Sequence, residues 1–469
     1  MLKFSKITKT LVSASALCSV MALASTISGV PVMVDSAVAK DKKDMKFDDR
    51  KTRRTPALSE KIYKVLGKAQ EAADLNDYPG AMTILEEGLG YKVEKLNSYE
   101  RAQYHNFRGF LNYSQEKYSD AINDYRNVLA QENLPPAMED TVTYTLGQLY
   151  FIQGDFQTSI DLLLKWLQYQ AEPTAQPLTF IGQAYYSLGS KDGVSKSVAR
   201  DNYTKGIPYI EQAIDLYKAK GKEPKENWYL LLRVMYFELQ DNQKVVDILE
   251  LLVKKWPKKE YWQQLAGMYG EMAGEPGKSA SEKKALEVKQ LATYEAAYKQ
   301  GFLVKSGELV NMAQLYLYHE TPYRASKVLK KGMDEGLVKM EQKNWEALSQ
   351  AHINAQDYKD SLLPLRKAAE MSEDGKLYMR LGQVYMQLDD FKNAAKYLGL
   401  ALEKGSLKRP DSANIMQGMA YFNMGQLDKA RRSFEAAAKY KRSTKMARKW
   451  ISYLGREKKR LADIKEFLG

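Results

Sequence analysis

Cysteine is almost missing: Cys18 stands alone among 469 residues, so no disulfide framework within the chain can hold the fold. Histidine is nearly as scarce, and His105, His319 and His352 lie far apart. No Cys/His spacing of a metal site, no phosphate-cradling glycine loop and no nucleophile elbow occurs. Paired acids such as Glu86-Glu87 and Asp389-Asp390 fall in surface positions or turns, where solvation or capping accounts for them. The expectation is a protein that is not an enzyme and needs no cofactor. Fourteen prolines and no long Gly/Ser tract argue against extensive disorder. What is plentiful is apolar residues at 44% and charged residues at 28%, the balance of a water-soluble helical protein. The formal net charge is +13 and the pI about 9.2.

One apolar run stands apart, from Leu11 to Val34 behind Lys3, Lys6 and Lys9. A basic head, an apolar run and small residues at Ala37-Val38-Ala39 make an export signal cut before Lys40, with Ala22-Leu23-Ala24 as an earlier site. The other reading is an uncleaved inner-membrane anchor, since roughly 20 apolar residues span a bilayer. Gly29, Pro31 and several serines interrupt the run and favour cleavage. Leu17 before Cys18 is bulkier than lipid attachment normally allows. Loss of residues 1–39 takes the charge from +13 to +11 and removes the cysteine. Export at this size without cysteines points to the bacterial periplasm, where nucleic acid is not an expected partner. Residues 40–57, with Lys40-Asp41-Lys42-Lys43-Asp44 and Arg53-Arg54, read as a charged flexible arm.

From 58 to 440 the same helical hairpin recurs. It is clearest at Leu377–Ala438, where Leu381-Gly382, Tyr385, Asp390-Phe391, Ala394 and Leu398 return 36 residues later as Gln417-Gly418, Tyr421, Gln426-Leu427, Ala430 and Phe434. Large apolar groups three and four residues apart share one helix stripe. A small residue, Gly382 or Gly418, leaves room for a second helix, whose Ala394 or Ala430 is expected against it. One hairpin cannot bury its stripe alone, so hairpins must stack. The expected fold is all-α: a right-handed α-solenoid of about ten hairpins, closed by a basic capping helix over 441–469. Two hairpins are stretched, near 190–201 and 274–284, where inserted residues are expected to protrude as loops.

This pattern resembles the tetratricopeptide repeat. The family's small residue matches Gly109, Gly147, Gly182, Ala266, Ala313, Gly382 and Gly418. Its aromatic three places on matches Tyr150, Tyr185, Tyr269, Tyr316, Tyr385 and Tyr421, and its second-helix alanine matches Ala81, Ala121, Ala325, Ala394 and Ala430. Arg233 and His352 depart from the pattern, and the late proline is clear only at Pro257. The resemblance implies protein partners and no particular one. A narrower likeness lies in Leu309-Val310-Asn311-Met312-Ala313-Gln314-Leu315-Tyr316, followed by Pro322-Tyr323-Arg324-Ala325, Gly332 and Asn344-Trp345. It looks like exported repeat proteins that accompany TonB and ExbB/ExbD energy-transducing systems and assist iron-complex uptake. That likeness implies periplasmic segments of TonB or ExbD as partners; the alternative is a chaperone or assembly scaffold for outer-membrane or cell-wall machinery.

Two surfaces are candidates for recognition. One residue past the small position, Gln148, Gln183, Gln314, Gln350 and Gln383 recur, and three places further come Phe151, Tyr186, Leu317, Ile353 and Met386. Stacked, they would form an amide ladder beside an apolar strip, suited to the backbone and side chains of an extended peptide. The plainer reading is that glutamine is a good helix former on a wet face. The second surface is basic: Lys445, Arg448, Lys449, Arg456, Lys458, Lys459 and Arg460. Such a run is either a solvated face or an attraction for acidic proteins and anionic membrane surfaces.

Overall fold

Glycine or another small residue at a fixed place in each first helix, and a tight turn after it, set the architecture. The computed structural model describes residue 50 and residues 53–468; the export signal and residues 40–49 of the arm lie outside the described residues. Among the described residues there are 21 α-helices and no strand. Two compact units divide the chain, one closing at Ile248 and the other opening at Leu249.

In the first unit the hairpins are α1 (Glu60–Asp74) with α2 (Tyr78–Leu89), α3 (Ser98–Ser114) with α4 (Tyr118–Leu129), and α5 (Pro136–Ile152) with α6 (Phe156–Leu167). They continue with α7 (Ala175–Gly189) and α8 (Lys196–Ala219), then α9 (Glu226–Glu238) and α10 (Asn242–Lys255), the last of which runs into the second unit. The second unit holds α11 (Lys259–Ala273) with α12 (Ala280–Lys299), α13 (Ser306–Tyr318) with α14 (Pro322–Asp334), and α15 (Gln342–Asn354) with α16 (Tyr358–Glu370). It ends with α17 (Lys376–Gln387) and α18 (Phe391–Lys404), α19 (Pro410–Asn423) and α20 (Leu427–Ala438), and the terminal α21 (Thr444–Leu468).

One turn design closes eight of the ten hairpins. A left-handed residue, such as Asn76, Glu116, Gly154, Gln356, Asp389 or Gly425, ends the first helix. The next N–H then reaches back to a carbonyl five residues earlier, as in Asp155 to Tyr150, Asp390 to Tyr385 and Gln426 to Tyr421. This satisfies orphan carbonyls at the helix end. At four of the turns the next residue is an aspartate that also caps the second helix: Asp77, Asp155, Asp241 and Asp390 accept from Gly80, Thr158, Lys244 and Asn393, whereas Asp357 makes no such bond.

The close approach is made one turn later than expected. A methyl group on Gly382 would strike Leu398, and one on Gly418 would strike Phe434, at 2.5 and 2.7 Å. Gly147 likewise faces Leu163, and Gly109 faces Tyr125. The large residue four places after the small second-helix residue therefore fills the notch, while Ala394 and Ala430 are buried beside it. Helix side chains lean toward the N-terminus, which carries the longer group back over the glycine. Three places after each small residue the two helices meet again, with Tyr185 stacked on Tyr209 and Tyr385 on Tyr397.

The insertions are helix rather than loop. α8 and α12 begin early and run 24 and 20 residues, leaving only short turns ahead of Ser195 and Ser279. Both turns are built alike. Gly193 and Gly277, 84 positions apart, take φ of +83° and +85°, and Ser195 and Ser279 cap the helices that follow. Gly189 lets the extended α7 and α8 close on each other, since a side chain there would meet Tyr203 at 2.7 Å. Continued helix satisfies its own backbone, so added length at a hairpin tip extends both helices more readily than it forms an open loop.

Candidate functional site

The amide ladder divides by unit. Gln148 is buried, and Phe151 belongs to a core of rings where Phe180 of α7 and Phe156 of α6 come within 5.0 and 5.1 Å. Neither is available to a peptide, which corrects the expectation for that hairpin. Three residues apart, the two share a stripe, and the aromatics that cover one cover the other. Gln183 is half-buried. Tyr186 stacks on Tyr203 at 5.8 Å, and burial pushes its phenol up to about 12.

In the second unit the ladder survives in part. Gln314 and Gln383 are exposed on α13 and α17, and half-buried Gln350 on α15 is bonded to Asn354. Leu317, Ile353 and Met386 are half-buried and pack into the cores beneath. They form no free apolar strip, because each stands four places past a buried small residue, Ala313, Ser349 or Gly382, and leans on the same core.

The basic surface is sorted by α21. Ala447, Trp450 and Leu454 seal the last hairpin, and Trp450 stacks on Phe434 at 5.2 Å. On the opposite face Lys445, Arg448, Lys449 and Arg456 are exposed and, with Lys441, Thr444 and Ser452, line a shallow open depression. Lys459 is exposed as well. Two of the expected patch residues are engaged instead: Lys458 pairs with Asp428 at 3.0 Å and Arg460 with Glu457 at 2.6 Å. Lys458 stands four places after the sealing Leu454 and so reaches the neighbouring helix, whereas Arg460 is held by a carboxylate of its own helix.

No group of three or more His, Cys, Asp or Glu side chains is placed to hold a metal among the described residues. No helix among them is long and apolar enough to cross a membrane. His352 takes the tyrosine place of its hairpin and is buried. Burial holds its imidazole below the ordinary value near 6.5, against the pull of Asp360 and Asp357. As pH falls through that value the unfolded ring takes a proton that the folded ring resists, so stability declines on the acid side. His352→Phe is expected to shrink the drop in urea midpoint between pH 7.5 and 5.5; an unchanged drop would assign the acid sensitivity elsewhere.

The arm gives a contact that local sequence does not announce. Arg50 is 2% exposed. Its guanidinium lies 2.7 Å from Asp140 and 3.7 Å from Glu139, and 3.6 Å over the ring of Tyr169. Arg53 pairs with Glu139 at 2.9 Å, the Thr55 hydroxyl donates to the Asn133 carbonyl, and Asn97 donates to the Ala57 carbonyl. Residues 53–57 thus run along the loops between the first hairpins, where a free arm was expected. Asp140 lies 90 residues from Arg50 in the chain and Tyr169 further still, beyond any periodicity.

A series of helical hairpins with small-residue notches defines a repeat scaffold. Family models described as tetratricopeptide repeat match residues 111–175 and 415–463, and another with that description matches 375–403, so those stretches are similar to tetratricopeptide repeats. No curated protein matches the chain. Similar solved structures include a tetratricopeptide repeat protein from Parabacteroides merdae, at 14% identity and TM-score 0.34, covering 62% of this chain and 99% of that one. The TPR2AB domain of yeast Sti1 in its pHSP90 complex is similar at 14% identity and TM-score 0.32, covering 62% and 100%. MamA follows at 19% identity and TM-score 0.29, covering 34% and 94%.

Proposed function

We propose that this protein is an exported, non-catalytic scaffold that holds other proteins together in the periplasm, in the service of a TonB-type energy-transducing system and iron-complex uptake. The observation that carries the reading is the stretch from Leu309 to Trp345, whose residues look like exported repeat proteins of such systems. It supplies the first helix on which Gln314 stands exposed. Gln314 and Gln383 offer donors and acceptors to the backbone of an extended segment, and a segment of TonB or ExbD is the occupant this reading names. The basic face of α21 supplies attraction to acidic partners or anionic headgroups, and that contribution falls as salt rises.

A photo-crosslinking residue placed at Gln314 or Gln383 in living cells is the test. Adducts with TonB or ExbD are expected, and more of them under iron limitation. Capture of a broad set of unfolded outer-membrane proteins would replace this reading with the chaperone one, and no adduct at either site would remove the groove.

A further inference from the structure

The arm's docking is uneven. Arg50 is buried, yet Arg53, Arg54, Thr55 and Ala57 are exposed, and polar contacts to the helical body tie Arg53, Thr55 and Ala57. Arginine is almost never buried unless paired, and here it is paired in the manner that guanidinium suits. Two of its nitrogens face the Asp140 carboxylate, at 2.7 and 3.5 Å, and its plane covers an aromatic ring. A lysine ammonium matches neither the fork nor the stack. Glu139 and Asp140 stand in the first turns of α5, where the helix dipole favours carboxylates whether or not a cation is present. The acids and ring are therefore placed by α5 and the end of α6, independently of what fills the space between them.

We propose that Glu139, Asp140 and Tyr169 form a guanidinium socket, occupied in cis by Arg50, into which an arginine-bearing extended segment of a partner protein docks by displacing the arm. Because Arg53, Arg54, Thr55 and Ala57 are exposed, an incoming segment competes for one buried anchor rather than for a sealed interface. The arm then acts as a built-in competitor that sets how strongly such a segment must bind. This site is separate from the glutamine faces and does not depend on what they bind.

The test uses the full chain carrying Arg50→Ala, and a fluorescent peptide with the sequence of residues 46–60 supplied in trans. Anisotropy should show the peptide binding the R50A chain at least about tenfold more tightly than the wild-type chain, whose own arginine competes. Replacing only the peptide's arginine at position 50 by lysine, with Arg53 and Arg54 kept, should weaken binding by about tenfold or more, a difference near 1.4 kcal/mol. Adding Asp140→Asn to the R50A chain should abolish the gain. Thermal unfolding checks that each chain is folded, and Tyr169→Leu replaces Asp140→Asn if that variant is not. Equal binding to wild-type and R50A chains, binding indifferent to lysine or to the socket variants, or no binding to R50A would each overturn the proposal.

Discussion

Gly206→Val is expected to lower the stability of the first unit by about 3 kcal/mol, the upper part of the range for overpacking a close-packed core. Gly206 sits where α8 crosses α7 and α9. A methyl group there would lie 2.7 Å from Met235 Cε, 2.8 Å from Tyr185 Cβ and 3.2 Å from the Gly182 carbonyl oxygen. The methionine tip can swing away at little cost. Tyr185 Cβ and the Gly182 carbonyl are fixed to the backbone of α7, so relief requires the helices to part, and parting them opens the Tyr185–Tyr209 stack. Against this, valine gains only a few tenths of a kcal/mol in helix propensity over glycine. Gly67 in α1 is the control, because nothing lies within 4 Å of the methyl group it lacks. There Gly67→Ala should raise stability by up to about 1 kcal/mol, propensity being the main change. Urea unfolding of both chains settles the matter: a Gly206→Val midpoint at or above the wild type would mean that α7 and α8 are not held at this crossing.

The contrast between those two glycines was partly legible in the sequence. Gly182 lies in phase with Gly147, Gly382 and Gly418, and the second-helix place of Gly206 is the one Ala121 or Ala394 fills elsewhere; Gly67 is in neither register. Phase along one helix is local information. Turn chemistry is equally local, and Gly154-Asp155 and Asp389-Asp390 mark their turns plainly. What a position meets in the next hairpin is not local. Gln148 and Gln383 occupy the same place in their hairpins, yet one is buried and the other exposed, because Phe180 brings an aromatic cluster over α5. The docking of Arg50 at Asp140 is further out of reach, since neither residue carries a periodic signature. The insertions were legible as extra length, and Ser195 and Ser279 mark helix starts, but length alone does not say whether a tip is coiled or helical.

Asp124→Ala should destabilise the second hairpin by about 2–3 kcal/mol, and the reason lies in a substitution at a tyrosine place. Asn112 stands three residues after Gly109, where Tyr185 and Tyr385 stand in their hairpins, and Asp124 stands opposite, where they meet Tyr209 and Tyr397. A ring stack is thereby exchanged for a hydrogen bond, with Asn112 Nδ2 donating to buried Asp124 at 2.8 Å. On the same face of α3, Arg108 pairs with Asp124 at 3.2 Å and His105 Nδ1 lies 3.1 Å from it. Arg108 and Tyr104 also reach Glu86, which draws α2 into the network. Losing a buried ion pair outright costs about 3–5 kcal/mol when the remaining charge is stranded. Arg108 is 36% exposed and keeps Glu86, so its charge is not stranded, and the larger figure does not apply. What is lost is the acceptor of a buried amide, worth about 1.5–3 kcal/mol for a bond to a charged group. Asp124→Asn keeps the volume and one acceptor oxygen but surrenders the charge that Arg108 and Asn112 share, so its effect should fall between wild type and alanine. Amide exchange should quicken in α3 and α4 and stay unchanged in α17 and α18. A loss below about 0.5 kcal/mol for alanine, the range of an ordinary surface change, would show that Asn112 and Asp124 are bystanders and that the second hairpin is held by its apolar contacts alone.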